Sequence, residues 1–301
     1  MASTAYAFIG IGAMGRPMAA RVLGAGLPLT VHTRSRAKAD DLIAGGAAWA
    51  ASPRAAADSA DVVLTCVTDN DATEQVLFGA DGVASSKRVK CVVDFSTSGP
   101  PTAAEIGRRL NEKGIAFVDA PVTGGTPRAA SGTLTIIAAG AAEAIAMAQP
   151  AFAVLGSHVF VAGPQPGQAQ MVKLVNNMLN YLAMAATAEA MVVGVKAGLD
   201  PQLMLDVLNT GTGKNSATEV KFPKAVLTRS FNYGATNHTV DKDLLLFLAE
   251  AERMKLPSPI ARNLSDLWHG WAEEHPGGDI TTITKMYEHW AGVEVRGKAA
   301  P

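Results

Sequence analysis

Lys173 and Asn177 lie four residues apart in the stretch Gly167 to Asn177, at the head of an almost uncharged run that reaches Val195. At 3.6 residues per turn an ammonium and an amide at that spacing project from one face of a helix, with Asn176 beside them. A cation held against a developing oxyanion both steadies its charge and supplies a proton, which is the work of a general acid. For the reverse reaction an ordinary lysine pKa of about 10.4 is too high, so burial or a neighbouring cation such as Lys242 has to lower it. A second reading is open on these residues alone: a lysine in the first turn of a helix can run its stem along apolar surface and put its head in water.

A second set of residues suits phosphate. Gly10-Ile11-Gly12-Ala13-Met14-Gly15 joins the run Ala5 to Ile11 to a segment carrying Met18, Ala19, Val22 and Leu23. Between a strand and a helix, three glycines so spaced allow a tight turn and close approach of backbone to a pyrophosphate, and the helix N-terminus offers unpaired N–H groups to the anion. An NAD site wants a carboxylate at the end of the next strand, about 20 residues on. Here that strand ends in His32-Thr33-Arg34-Ser35-Arg36, and no carboxylate precedes Asp40. Arginine and serine suit a 2'-phosphate, so NADP(H) is expected ahead of NAD, the alternative being a solvated basic loop. A third set, Thr123-Gly124-Gly125, pairs a hydroxyl with successive backbone N–H groups, which makes either an anion nest for a substrate carboxylate or a plain chain reversal.

These groups need elements to hold them. From Ala5 onward, apolar β-branched runs alternate with helical ones. Strands are predicted at 5–11, 29–32, 62–67, 92–94, 117–119, 134–138 and 159–161, and helices at 15–25, 37–44, 71–78, 101–113 and 142–155. That alternation implies a mostly parallel sheet covered on both faces, so the expected fold is α/β, a Rossmann-type doubly wound sheet. From Gln168 the pattern becomes helical, with breaks at 198–201, 211–213, 231–234, 256–259 and 275–278. The first of these helices has no proline or internal glycine from Gln168 to Val193, and apolar residues at Met171, Leu174, Val175, Met178, Leu182 and Ala185 predict one long buried rod. Two domains are expected: 1–163 for the dinucleotide, and 164–301, all-α, for substrate and dimerisation, with the long helix joining them and the active site in the cleft between.

Composition bounds the rest. With 301 residues, 48% apolar and 18% charged, the chain has ample core for two globular domains. A net charge of -1 lacks the basic excess that nucleic-acid binding needs. Cys66 and Cys91 sit in strand-like runs as small buried thiols, the histidines show no ligand spacing, and no metal is expected. The stretch 178–195 is long enough to raise a membrane span, but Asn180 and Glu189 interrupt it and a core helix is favoured. With no signal-peptide pattern at the start, a cytoplasmic setting is expected, and residues 296–301 read as a frayed tail.

Taken together, Gly10 to Gly15 with Met14, the loop Asp119-Ala120-Pro121-Val122-Thr123-Gly124-Gly125, the helix carrying Lys173 and Asn177, and the late pair Lys242-Asp243 resemble the β-hydroxyacid dehydrogenases, a family that includes 3-hydroxyisobutyrate dehydrogenase, tartronate semialdehyde reductase and the glyoxylate/succinic semialdehyde reductases. The four motifs span the chain from about Ala5 to Ala291. The resemblance implies Lys173 as the catalytic acid/base, Asn177 as a substrate-positioning amide, and Thr123, Gly124 and Gly125 as the carboxylate pocket, with threonine where serine is usual. It also implies that Val67, Thr68 and Thr97 touch the cofactor, that Lys242 lies near the nicotinamide ribose with Asp243 on the substrate side, and that Thr33-Arg34-Ser35 marks an NADPH-preferring member.

The function then expected is hydride transfer between NADP(H) and a small hydroxy carboxylic acid or its semialdehyde. Apolar faces on the C-terminal helices imply a homodimer or homotetramer. An imine reductase-like NADPH enzyme would keep the fold but typically lacks the lysine, and a non-catalytic NADP-binding module would have no need of Lys173, Asn177 and Thr123. One departure stands out: from Gly234 to Lys242 small and polar residues replace the bulky apolar ones usual in the family, which predicts either a roomier, more polar pocket or drift in an exposed loop.

Overall fold

The computed structural model describes residues 4–297. The chain divides into two compact units, Met1–Lys173 and Leu174–Pro301, and the division falls inside one long helix.

The first unit runs β1 (Tyr6–Ile9), α1 (Gly15–Gly24), β2 (Leu29–His32), α2 (Asp40–Ala44), β3 (Ala48–Trp49), α3 (Pro53–Asp58), β4 (Val62–Thr65), α4 (Asn70–Phe78), β5 (Cys91–Asp94), α5 (Pro100–Asn111), β6 (Ala116–Asp119), β7 (Val122–Thr123), α6 (Gly125–Ser131), β8 (Leu134–Ala139), α7 (Ala142–Leu155) and β9 (Gly156–Gly163). Its sheet has the order β3-β2-β1-β4-β5-β6-β8-β7, with β9 on β8. Strands β1 to β6 are parallel, β8 pairs antiparallel to β6 and β7, and β9 returns parallel to β8. The pleat sends alternate side chains to opposite faces. Tyr6 and Phe8 accordingly join one apolar core while Ala7 and Ile9 join another, so the sheet is covered on both sides. The strand order reverses direction at β1, between β2 and β4, and ligands of such sheets bind at the carboxyl ends of the strands beside that switch.

Two-residue β3 and β7 and the short helices α3 and α6 do not follow from the sequence pattern. The strands are too brief to show alternation. Helix α3 is set by its cap, where Ser52 Oγ accepts from the Ala55 N–H and Pro53 occupies the first turn.

The long helix, α8 (Gln168–Lys196), has almost its expected span. Its burial is a stripe and not a rod: Leu174, Asn177, Tyr181, Met184, Ala188 and Met191 are buried, whereas Val172, Val175, Leu179 and Val193 are 43–64% exposed. Val175 thus leaves the expected buried set because it lies off the stripe that a spacing of three and four selects. The helix is long and apolar enough to cross a membrane by length and composition, a test that core helices of soluble proteins also pass.

The second unit continues with α9 (Pro201–Thr210), a π-helix (Ala217–Val226), α10 (Asn237–Arg253), α11 (Pro259–Glu274) and α12 (Ile283–Ala291). It has no strands among the described residues, only one bridge between Thr236 and Asp279. The expected frayed tail is corrected in part. Val295 is buried and takes a bond from its N–H to Glu288, Gly297 donates to the Leu227 carbonyl at 3.0 Å, and Arg296 pairs with Glu294 at 2.9 Å. Residues 298–301 of that expectation lie outside the described residues.

Candidate active site

The glycine turn follows β1. Gly10 has φ +100, and a Cβ there would sit 2.2 Å from the Cys66 carbonyl oxygen, while a Cβ on Gly15 would sit 1.9 Å from the Gly10 carbonyl oxygen. Both glycines are therefore required by the fold itself, since side chains would push β1 off β4 and α1 off the turn. Gly12 is different: no atom lies within 4 Å of its missing Cβ. That open space, beside Ile11, Ala13 and an α1 start that no side chain caps, is what a pyrophosphate needs. The other expected cofactor residues fall at the carboxyl ends of neighbouring strands. Thr33, Arg34 and Ser35 follow β2, Val67 and Thr68 follow β4, and Thr97 follows β5.

Arg34, Ser35 and Arg36 are exposed, and neither arginine makes an ion pair among the described residues. The loops after β4 and β5 are tied together. Asp94 Oδ1 accepts from Ser96 Oγ (2.6 Å) and Thr65 Oγ1 (2.8 Å), and Ser96 Oγ accepts from the Val67 N–H (3.0 Å). Thr68 bonds Asp69, which caps α4 through the Ala72 N–H at 2.7 Å. The two thiols are bystanders: neither is in a disulfide, and burial pushes both up to about 12.

After β6 the chain enters the loop that the sequence marked. Gly124 and Gly125 have φ +128 and +70, conformations that side chains resist. They turn β7 into α6 directly after the half-buried Thr123. Lys173 reaches this loop. Its Nζ donates to the Val122 carbonyl oxygen at 2.7 Å and the residue is partly buried. The amine is turned onto the loop at this carbonyl.

What holds the start of α8 in place is a buried cluster. Asp119, at the end of β6, accepts from the Gly167 N–H (2.9 Å), the Gln170 N–H (3.2 Å) and Gln170 Nε2 (2.6 Å). Gln170, itself fully buried, accepts through Oε1 from the N–H groups of Ser98 and Gly99 and donates to the Ser96 carbonyl. Burial pushes the Asp119 carboxyl up to about 6 against the pull of those hydrogen bonds. Neither role was assigned from sequence. A glutamine on an otherwise apolar face three residues before Lys173 was the available signal.

In the second unit, Asn177 Nδ2 donates to Asp243 Oδ2 at 2.6 Å, and Tyr181 OH donates to the same oxygen at 2.8 Å. Lys242 Nζ lies 3.1 Å from Asp243 Oδ1. Asp243 is 2% exposed; its Oδ2 takes both hydrogen bonds, while Oδ1 faces the Lys242 ammonium without a hydrogen bond of its own. In this geometry it orients Asn177 and stands against Lys242. Tyr181, one turn beyond Asn177, was missed. Burial first, then the charge of Asp243, keeps its phenol well above its ordinary value, so it remains a donor. Lys242 also lines a concavity with His238, Asp241, Leu245 and Leu246.

The polar segment before Lys242 proves to be structural in part. Thr236 Oγ1 caps α10 through the Thr239 N–H, and buried Asn237 donates to the His275 carbonyl and Thr282 Oγ1. These residues lock the start of α10 to the 275–282 segment, while His238 of the same stretch lines the concavity beside Lys242.

Comparison with known proteins agrees with this layout. Residues 5–163 match the family described as the NAD binding domain of 6-phosphogluconate dehydrogenase, and residues 167–287 that described as NAD-binding of NADP-dependent 3-hydroxyisobutyrate dehydrogenase. The chain is 34% identical over 293 residues to 2-(hydroxymethyl)glutarate dehydrogenase of Eubacterium barkeri, covering 96% of this chain and 97% of that one. It is 36% identical over 295 residues to 3-hydroxyisobutyrate dehydrogenase of Pseudomonas aeruginosa, covering 94% and 98%. The crystal structure of 3-hydroxyisobutyrate dehydrogenase from Salmonella typhimurium superposes with TM-score 0.85 at 28% identity, covering 94% of this chain and 100% of its own. A Streptomyces aurantiacus imine reductase, at 22% identity and TM-score 0.62 over 94% of this chain and 99% of its own, shares the fold alone.

A doubly wound sheet with this glycine turn, followed by a helical unit, defines an oxidoreductase linked to a nicotinamide dinucleotide. More narrowly, the chain belongs to the β-hydroxyacid dehydrogenases, the NAD(P)-dependent family that acts on small hydroxy acids.

Proposed function

We propose that this chain interconverts a small 3- or 4-hydroxy carboxylate and its semialdehyde using NADP(H), with Lys173 as general acid in reduction and general base in oxidation. The observation that carries the reading is the 2.7 Å bond from Lys173 Nζ to the Val122 carbonyl, which fixes the amine beside Thr123. An ammonium carries three N–H donors, and the reading asks for one of them on the substrate oxygen. Thr123, Gly124 and Gly125 take the substrate carboxylate, and Asn177, its amide oriented by Asp243, steadies the reacting end. The nicotinamide, when bound, gives or takes the hydride. Arg34 and Ser35 receive the 2'-phosphate, a preference supported by the lack of any carboxylate between Thr33 and Ala39.

Assembly as a homodimer or homotetramer belongs to the same reading, supported by exposed apolar residues on α8 and α9 such as Leu179, Val193, Leu203 and Val207. Two free thiols suit a reducing, cytoplasmic setting. The test is a panel of hydroxy acids and semialdehydes, 3-hydroxyisobutyrate and 2-(hydroxymethyl)glutarate among them, run with both cofactors. NADPH should exceed NADH in kcat/KM, and Arg34→Ala should erase about tenfold or more of that margin through the lost charge-assisted bonds. Equal use of the two cofactors by wild type would make the chain an NAD(P) generalist, and no turnover with NADPH still bound would favour the non-catalytic module.

A further inference from the structure

Charged groups buried in the second unit are paired: Arg229 with Glu288, Arg253 with Glu250, Lys242 with Asp243. Lys221 is the exception. It sits on the π-helix, is fully buried, and makes no ion pair among the described residues. Its Nζ donates to Asn180 Oδ1 at 2.8 Å and Ser216 Oγ at 2.9 Å, and stands 5.3 Å from the centre of the Tyr233 ring. Burial pulls its pKa down to about 8. As a purely structural device this is a poor choice, because an apolar side chain of similar volume would fill the space with no charge to desolvate. A π-helix also gives up better hydrogen-bond geometry, and such segments collect at functional sites.

Asn180, the amine's first acceptor, lies seven residues after Lys173 and three after Asn177 on α8. That register puts all three on one face, with Asn180 about 10 Å along the axis from Lys173. Ser216, the second acceptor, is exposed. We propose that Lys221, with Asn180 and Ser216, is a second anion subsite that takes a carboxylate distal to the reacting carbon, so that the substrate is a dicarboxylic hydroxy acid. The proposal rests on the dehydrogenase reading above and deepens it. An incoming carboxylate replaces Ser216 as acceptor and supplies the missing countercharge, while the Asn180 amide can turn its N–H groups to the same anion.

The experiment compares 2-(hydroxymethyl)glutarate with 2-(hydroxymethyl)pentanoate, which lacks the distal carboxylate. Wild type should favour the dicarboxylate by about tenfold or more in kcat/KM, mainly through KM, as a buried charge pair of this kind requires. Lys221→Met should bring the ratio of the two specificity constants to about one. Because a core variant can fail to fold, Ser216→Asp is the companion: at an exposed position it installs an internal carboxylate beside the amine, and it should abolish the same preference. A ratio unchanged in both variants, or wild-type turnover of the monocarboxylate alone, overturns the subsite while leaving the dehydrogenase reading in place. If wild type oxidises neither acid with either cofactor while these bind, the dehydrogenase reading falls and the subsite with it.

Discussion

Two buried carboxylates brace the same helix in different ways. Asp119, in the first unit, meets only neutral donors, the N–H groups of Gly167 and Gln170 and the Gln170 amide, so it caps α8 and carries its charge at a cost that shows in a pKa of about 6. Asp243, in the second unit, meets an amide, a phenol and an ammonium. The first fixes where the helix begins. The second holds side chains whose chemistry the proposed mechanism uses, and it keeps a cation beside them. A carboxylate with neutral partners is a frame, whereas one with a cation couples the frame to the reaction.

The largest contrast should come from removing each charge. Asp243→Leu removes the buried carboxylate that faces Lys242 and frees Asn177 and Tyr181, so it should lower the unfolding free energy by about 3–5 kcal/mol, as breaking a buried pair does. Asp119→Leu strands three neutral donors but also relieves the unfavourable burial of its carboxylate, so its net cost should be smaller, about 1–3 kcal/mol. Denaturant unfolding checks both, and equal losses would break the comparison. Tyr181→Phe is smaller, about 1.5 kcal/mol for one bond to a charged acceptor. It should lower kcat several-fold with KM for cofactor unchanged, because Asn177 loses a co-donor that shares its acceptor.

The smallest effect is in the pH profile. Since the folded Asp119 pKa lies above the ordinary carboxylate value near 3.8, the folded protein holds a proton between about pH 4 and 6 that the unfolded chain has released. Its contribution is therefore greatest in acid and is lost as pH rises through about 6. The stability of wild type relative to Asp119→Asn should fall across that window and be flat above it. A difference that is flat throughout would mean Asp119 titrates as an ordinary carboxylate.

Much of the fold was legible because it is periodic. Leu29–His32 and Ala142–Leu155 follow the sequence pattern to the residue, and the glycine turn announced the nucleotide end. What stayed hidden was whatever depends on tertiary partners. Gln170 and Tyr181 look like ordinary helix residues until Asp119 and Asp243, 51 and 62 residues away, arrive beside them. Thr236 and Asn237, which the sequence left open between a pocket wall and loop drift, serve as a cap and a cross-link. The π-helix carries no sequence signature of its own, since Pro223 and mixed burial fit several conformations. Lys173 was legible in position and type, while the direction of its amine required the coordinates.

The most direct measurement is single-turnover reduction of a semialdehyde by Lys173→Met, with NADPH binding followed in parallel by fluorescence. Loss of a positioned general acid predicts a chemical step slower by about 10²–10⁴-fold with cofactor affinity unchanged. A variant within a few-fold of wild type would show that the proton comes from elsewhere and that the lysine serves only to hold the loop.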